Sequence, residues 1–350
     1  MRIVPVMHWS GRRLGRVRSA AAVLAMVGGL ASVGVKPAGV APIAPTAWAS
    51  VVAAAVKPVT RLAGADRIGT AIAISQETFP NPRSAGAVVL TDADNFPDAL
   101  AGAPLAAAKQ APVLLTDPGG LSSATLTEIV RVAPPASTVY VLGGPFAIST
   151  TVDAELRFAG YAPQRIAGTD RFATSVAIAN VLGSPSTVLL ASGDVYADAL
   201  SAGPAAASAH GAVLLTDGTN LPSSVVFYLA RVGSATVYDI GDAAGQAYPG
   251  GTKVSGGDRF ATSAAVAARF FLDPSIVGVA TGYNFPDALS GAGAMAVAGG
   301  PILLSDPLLL PLGVAQYLST WSSSITQALL FGGELSLSPA IANTVSSEIG

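Results

Sequence analysis

Short, continuous apolar runs alternate along the chain with segments whose apolar positions fall three and four apart. The runs "AVVLT" (87–91), "PVLLT" (112–116), "TVYVL" (138–142) and "TVLLA" (187–191) are strand-length and apolar at successive positions, as expected of strands buried on both faces of a parallel sheet. Between them, spacing such as Phe172, Val176 and Ala179 predicts helices. The first stretch reads as an extended piece ending at Gly-x-Asp-Arg, a helix, a strand, a small-residue helix and a second strand. A helix near 121–132, a third strand ending at Gly143-Gly144 and a last helix over roughly 148–158 complete it. Strands alternating with helices place the chain in the α/β class, with helices covering a parallel sheet.

The same pattern is written three times. "AGADRIGT" (63–70), "AGTDRFAT" (167–174) and "SGGDRFAT" (255–262) open the copies. "NFPDAL" (95–100), "VYADAL" (195–200) and "NFPDAL" (284–289) follow, then "APVLLTD" (111–117), "GAVLLTD" (211–217) and "GPILLSD" (300–306). "VYVLGG" (139–144), "VYDIGD" (237–242) and "ALLFGG" (328–333) close them. Order and spacing are kept, so the chain is expected to be three tandem units, at 60–160, 161–250 and 251–350, behind a linker over 50–59. Copy two departs at its end: Gly241-Asp242 stands for Gly-Gly, and the sequence runs through "AAGQAYPGG" to copy three, so its last helix is expected to be missing.

Residues 1–49 read as an export signal. Arg2, Arg12, Arg13, Arg16 and Arg18 precede the apolar stretch 19–35, and Ala47-Trp48-Ala49 fits a small-x-small cleavage site. An uncleaved anchor helix is the alternative reading. Removing this segment takes six of the 19 basic residues and none of the 21 acidic ones, leaving 13 against 21, a net charge of −8. That balance opposes general attraction to nucleic acid or to anionic membranes. There is no cysteine, so no disulfide stabilises an exported form, and no later apolar segment reads as a span.

Two reduced motifs carry the candidate chemistry. Asp66-Arg67, Asp170-Arg171 and Asp258-Arg259 lie at strand-to-helix turns, where the Asp suits a helix cap. The Arg is expected to pair with a carboxylate, the natural partner being Asp98, Asp198 or Asp287 of the Asp-Ala-Leu element, in the same unit or the next. An anionic ligand held by the Arg and helix N-termini is the alternative. Asp98, Asp198 and Asp287 themselves sit in the first turn of a helix, where a carboxylate meets free amides. The helices that follow, "DALAGAPLAAAK", "DALSAGPAAASA" and "DALSGAGAMAVA", are expected to pack closely, within or between units, with Pro104 and Pro204 kinking two of them or marking a short first turn. Gly291-x-Gly293-x-x-Ala296 formally matches a dinucleotide fingerprint but lies inside a helix, so no cofactor is expected. Asp92, Asp94 and Asp98 could hold a cation in copy one, yet only the last recurs as Asp in the other copies, so no common metal centre is expected. His210 is the only histidine after the signal and reads as a helix-end residue, which leaves no Ser-His-Asp set and no zinc set.

Three tandem copies of G-x-D-R-[IF]-x-T, an N-F-P-D-A-L type element, P-[VI]-L-L-[TS] and a closing G-G resemble the cell wall binding repeat 2 family of Gram-positive surface proteins, over about residues 60–349. The resemblance implies a Rossmann- or Toprim-like α/β unit per repeat, packed as an intramolecular pseudo-threefold trimer. It implies non-covalent attachment to an anionic wall polysaccharide, and a secreted, cell-wall location. The family's "ILL"-type strand corresponds to Val113-Leu114-Leu115, Val213-Leu214-Leu215 and Ile302-Leu303-Leu304, read here first as core strands. The expected function is therefore a non-catalytic wall-binding protein. A surface structural or protein-interaction module is the alternative, and a wall hydrolase using paired carboxylates a further one. Fifteen Arg against four Lys and abundant Ala suggest an actinobacterial source.

Overall fold

The computed structural model describes residues 56–350. The expected export signal and most of the expected linker lie outside the described residues. Within them lie three four-stranded, all-parallel sheets. The first holds β2 (Val88–Asp92), β3 (Val113–Thr116), β4 (Thr138–Leu142) and β5 (Ala162–Ile166) in the order β3-β2-β4-β5. The second holds β6 (Thr187–Ser192), β7 (Ala212–Thr216), β8 (Thr236–Ile240) and β9 (Thr252–Val254), ordered β7-β6-β8-β9. The third has β10 (Ile276–Thr281), β11 (Ile302–Ser305), β12 (Gln327–Phe331) and β1 (Val59–Leu62), ordered β11-β10-β12-β1. The "ILL"-type pieces are core strands: Leu114, Leu115, Leu214, Leu215, Leu303 and Leu304 are wholly buried.

The extended piece before each Gly-x-Asp-Arg joins the sheet of the preceding repeat. β5 pairs with β4 and β9 with β8. For the first repeat the preceding sheet is the last one in the chain: β1 pairs with β12, Val59 opposite Ala328 and Leu62 opposite Phe331. The amide of Gly332 donates to the Leu62 carbonyl, and that of Ala328 to the Pro58 carbonyl. Lys57 Nζ donates to the Ser322 carbonyl. Sheet hydrogen bonds thus tie the first described strand to the last.

The helix after each Gly-x-Asp-Arg forms as the apolar spacing predicts: α1 (Arg67–Thr78), α5 (Arg171–Val181) and α9 (Arg259–Phe270). The small-residue segments form α2 (Gly102–Lys109), α6 (Tyr196–Ser208) and α10 (Pro286–Ala298), and each of these touches the other two. Their composition explains the approach. A Cβ at Gly203 would lie 2.7 Å from Ala103 Cβ, and one at Gly293 2.3 Å from Val113 Cγ2, both contacts between repeats. In copy one the Asp-Ala-Leu element stands apart as a 3-10 turn (Pro97–Ala99), and Pro104 falls in the first turn of α2, where no backbone donor is lost. Pro204 lies inside α6. One apolar cluster, including Leu105, Leu200, Met295 and Phe331, runs through all three repeats.

Three further clusters lie on the opposite faces of the sheets. They are capped by α3 (Ser123–Val132) with α4 (Thr150–Phe158), by α7 (Ser223–Val232) with α8 (Asp242–Ala247), and by α11 (Leu312–Thr320) with α12 (Pro339–Ile349). The expectation that copy two lacks its last helix is corrected: α8 is present but has six residues, against nine in α4 and eleven in α12. Pro249 sets the stop, because the residue before a proline is pushed out of the helical region, and Tyr248 has ψ 80°. In the same copy Asp239 occupies the strand position held by Val141 and Leu330 in the others. It is 1 % exposed, its Oδ1 has no hydrogen-bond partner, and burial raises its pKa to about 6.

Candidate functional site at the repeat junctions

Each Gly-x-Asp-Arg turn is built from backbone contacts. A Cβ on Gly64, Gly168 or Gly256 would come within 2.2, 2.4 and 2.4 Å of atoms of the following helix, so only glycine fits. Their amides donate to Thr70, Thr174 and Thr262 Oγ1 at 3.1, 3.0 and 3.1 Å, which explains the recurring threonine. Asp66, Asp170 and Asp258 cap α1, α5 and α9 as expected, each Oδ1 accepting the amide three residues on at 2.7 Å. Such a cap contributes about 1 kcal/mol.

The arginines do not form the expected ion pairs with the Asp-Ala-Leu carboxylates. Arg67, Arg171 and Arg259 each donate from Nη1 to a backbone carbonyl just past the first inner strand of their own repeat: Ala93 at 2.6 Å, Gly193 at 2.7 Å and Gly282 at 2.7 Å. Arg67 also meets Asp94 Oδ1 at 3.3 Å, on the surface. The relation to Asp98, Asp198 and Asp287 is looser and crosses repeats. Asp98 lies in the field of Arg171, Asp198 in that of Arg259, and Asp287 in that of Arg67. Here too the third repeat hands on to the first.

Those three carboxylates rest against the glycine that ends the third strand of their own repeat. Gly143, Gly241 and Gly332 have φ of +110°, +85° and +107°, and a Cβ there would lie 2.8, 2.1 and 2.3 Å from the Oδ2 of Asp98, Asp198 and Asp287. Both the backbone conformation and the carboxylate demand glycine. Ser336 Oγ donates to Asp287 Oδ2 at 3.0 Å. Burial raises the pKa of all three, that of Asp198 to about 6. The facing arginines pull the other way in each case, as do the Thr174 hydroxyl beside Asp98 and the Ser336 and Thr70 hydroxyls beside Asp287.

The motifs therefore converge between repeats. A groove of about 540 Å³ between the first and second is lined by Asp98, Gly144, Phe146, Asp170 and Arg171, with Asp92. Its counterpart between the third and first, about 510 Å³, is lined by Asp287, Gly333, Leu335, Asp66 and Arg67, with Glu334. At the remaining junction Asp198 faces Arg259, and Asp242 occupies the second glycine position, pairing with Lys253 at 3.0 Å. The possible cation set of copy one is otherwise engaged. Asp92 accepts from the Asp94 amide and from Asn95 Nδ2, while Asp94 meets Arg67. The Gly291-x-Gly293 stretch lies inside α10, and His210 lies just past the Ala209 cap of α6.

Two sets of junction residues escaped the sequence reading. Arg61 donates to the Gly332 and Gly333 carbonyls at 2.8 and 3.1 Å, and Arg165 to the Gly143 carbonyl at 2.8 Å and to Asp153. Each clamps the closing turn of the repeat before it, and Lys253 holds the equivalent place. The signal was a basic residue three positions ahead of each motif glycine. The second set is Phe96, Tyr196 and Phe285, whose rings meet at centroid distances of 5.3, 5.4 and 6.1 Å. An aromatic stands two residues before the Asp in every Asp-Ala-Leu element.

Comparison with known proteins fits this arrangement. Two Bacillus subtilis (strain 168) proteins match: the N-acetylmuramoyl-L-alanine amidase LytC, 27% identical over 83% of this chain and 58% of its own, and the Amidase enhancer, 30% identical over 87% and 43%. Among solved structures, Cwp8 and Cwp6 from Clostridium difficile each superpose with a TM-score of 0.74 at 25% identity, covering 83% and 84% of this chain and 51% and 48% of theirs. This chain thus spans about half the length of these relatives. The model of the Cell wall binding domain 2 (CWB2) family matches three times, at 61–153, 165–245 and 253–342. With its three parallel sheets and a shared junction between successive repeats, the chain belongs to the cell wall binding domain 2 family.

Proposed function

We propose that this is a secreted, non-catalytic wall-binding protein, held non-covalently on an anionic wall polysaccharide, its three repeats acting as one pseudo-threefold body. The observation that carries the reading is the recurrence, at every junction, of a capping Asp, an Arg fixed on a backbone carbonyl and a carboxylate seated on a glycine turn. Each arginine has five donors and spends one on that carbonyl, and Arg67 also donates to Asp94. The rest suit hydroxyl, phosphate or carboxylate oxygens of a polymer laid along the groove. Asp66, Asp170 and Asp258 position that Arg, while Asp98, Asp198 and Asp287 hold the turn opposite it. Bulk charge does not drive the contact, because acidic side chains outnumber basic ones in both grooves. Among the described residues no helix is long and apolar enough to cross a membrane.

Co-sedimentation with isolated Gram-positive walls, before and after extraction of their anionic polymers, tests this. Binding lost on extraction supports the reading. Binding that survives extraction points to protein or peptidoglycan contacts instead, and release of soluble sugar or peptide would make the protein a hydrolase.

A further inference from the structure

Phe146 and Leu335 occupy the same place in two different loops, "GGPFAIS" (143–149) and "GGELSLS" (332–338). They are 106 % and 98 % exposed, and each lines its groove. A lone surface hydrophobe needs no explanation. Two at one register, on turns built alike, are a different matter. The Gly144 carbonyl accepts from the amides of Ala147 and Ile148, all at 3.0 Å, and the Gly333 carbonyl likewise from Ser336 and Leu337. Just beyond the exposed residue, Ile148 and Leu337 are wholly buried and anchor the turn. Arg165 and Arg61 clamp it from the next strand. Folding therefore stiffens both turns and leaves the exposed side chain nothing to pack on among the described residues.

Resting on the wall-binding reading, we infer that Phe146 and Leu335 are apolar platforms for pyranose rings of the polymer, making the first–second and third–first grooves its two sugar subsites. A pyranose has a C–H face that packs on an apolar side chain and a rim of hydroxyls for the surrounding carboxylates and Arg. One apolar residue beside a polar groove matches that pattern. A protein partner calls for a contiguous apolar patch of several hundred Å². The carboxylate excess directs the sugar ring, with its hydroxyl donors, to this lip rather than a bare anionic linkage. The second–third junction has Asp242-Ala243-Ala244 where the other turns carry Gly-Pro-Phe and Gly-Glu-Leu, and Ala244, at the platform register, is buried, so it offers no platform. Two subsites on one rigid body would engage a single polymer bivalently.

The experiment is co-sedimentation with isolated walls of Bacillus subtilis and of an actinobacterium, using the parent chain, Phe146→Ala, Leu335→Ala, the double variant, and Phe158→Ala as an exposed phenylalanine of a different groove. Thermal unfolding and sedimentation velocity accompany it. All variants are expected to melt with the parent. Each platform variant loses about fivefold or more in affinity, the double variant about fiftyfold or more as bivalence disappears, and Phe158→Ala none. A parent that binds neither wall overturns the wall-binding reading. A parent that binds while the double variant stays within about twofold overturns the platforms and leaves that reading standing. A parent dimer that the double variant dissolves assigns the platforms to self-association and overturns the inference as well.

Discussion

Replacing Asp239 with valine should stabilise the protein, and only above acidic pH. The side chain is buried in β8, one oxygen lacks a partner, and its pKa rises from 3.8 to about 6 because burial penalises the charged form. Between those two pKa values the folded state holds a proton that the unfolded state has released. Stability therefore falls as pH rises from about 4 to about 6 and stays at the lower level above. Two units at 1.36 kcal/mol each set an upper bound of about 3 kcal/mol at neutral pH. Relaxation of the surrounding structure and local water penetration bring this to ~1–2 kcal/mol. Valine is the residue copy one places at this register, Val141 beside Leu90 matching Asp239 beside Leu190, so the substitution keeps shape as well as strand propensity. Urea or thermal unfolding of parent, Asp239→Val and Asp239→Asn across about pH 4 to 8 reads the effect. The gain should grow through the titration and amount to several degrees at neutral pH. Asp198, also raised to about 6, keeps a residual slope of the same sign in the variants. If Asp239→Val melts at or below the parent at neutral pH, or gains equally at about pH 4, the carboxylate does not carry this cost.

Gly332→Ala should cost at least ~1–3 kcal/mol, because φ of +107° strains an L-residue and the new methyl meets Asp287; urea unfolding checks it, and adding Asp287→Ala should recover only the steric part. Asp170→Ala should lose about 1 kcal/mol through the α5 cap without changing oligomeric state, read by thermal unfolding. A double-mutant cycle on Arg67 and Asp287 should give a coupling below ~1 kcal/mol, since they face each other without an ion pair. Arg67 and Asp98 should simply add.

The strands were legible because burial on both faces leaves an uninterrupted apolar run. Sheet membership was not. "VTRL", "APQRI" and "TKV" are short, partly polar edge strands, and nothing local tells such a piece which sheet to join. The same blind spot misdirected the search for partners. Recurrence marked Arg67 and the Asp-Ala-Leu aspartates together, yet the Asp-Ala-Leu carboxylate in the field of Arg67 is Asp287, brought there by β1 crossing to the last sheet. Arg61 and Arg165 could have been found, since a basic residue precedes each motif glycine at fixed distance. Phe146 and Leu335 could not, because Phe and Leu at one loop position draw notice only once the turns are seen to match.

The pairing of β1 with β12 also bears on how the protein is made. β1 is among the first of the described residues to be synthesised, and its partner strand, Gln327–Phe331, is among the last. At translation rates of about 5–20 residues per second, the intervening chain takes on the order of 10–60 s to appear. Throughout that time β1 is an unpaired strand looking for an edge. The first two sheets can each be completed by sequence close at hand, whereas the third must wait for β1 and β12 to meet, a contact far apart in sequence and hence slow to form. A chain cut short before β12 therefore keeps a free strand at one end, the kind of exposed pairing surface that invites aggregation. Closure of the third sheet is thus a test that the chain has been made at least as far as β12.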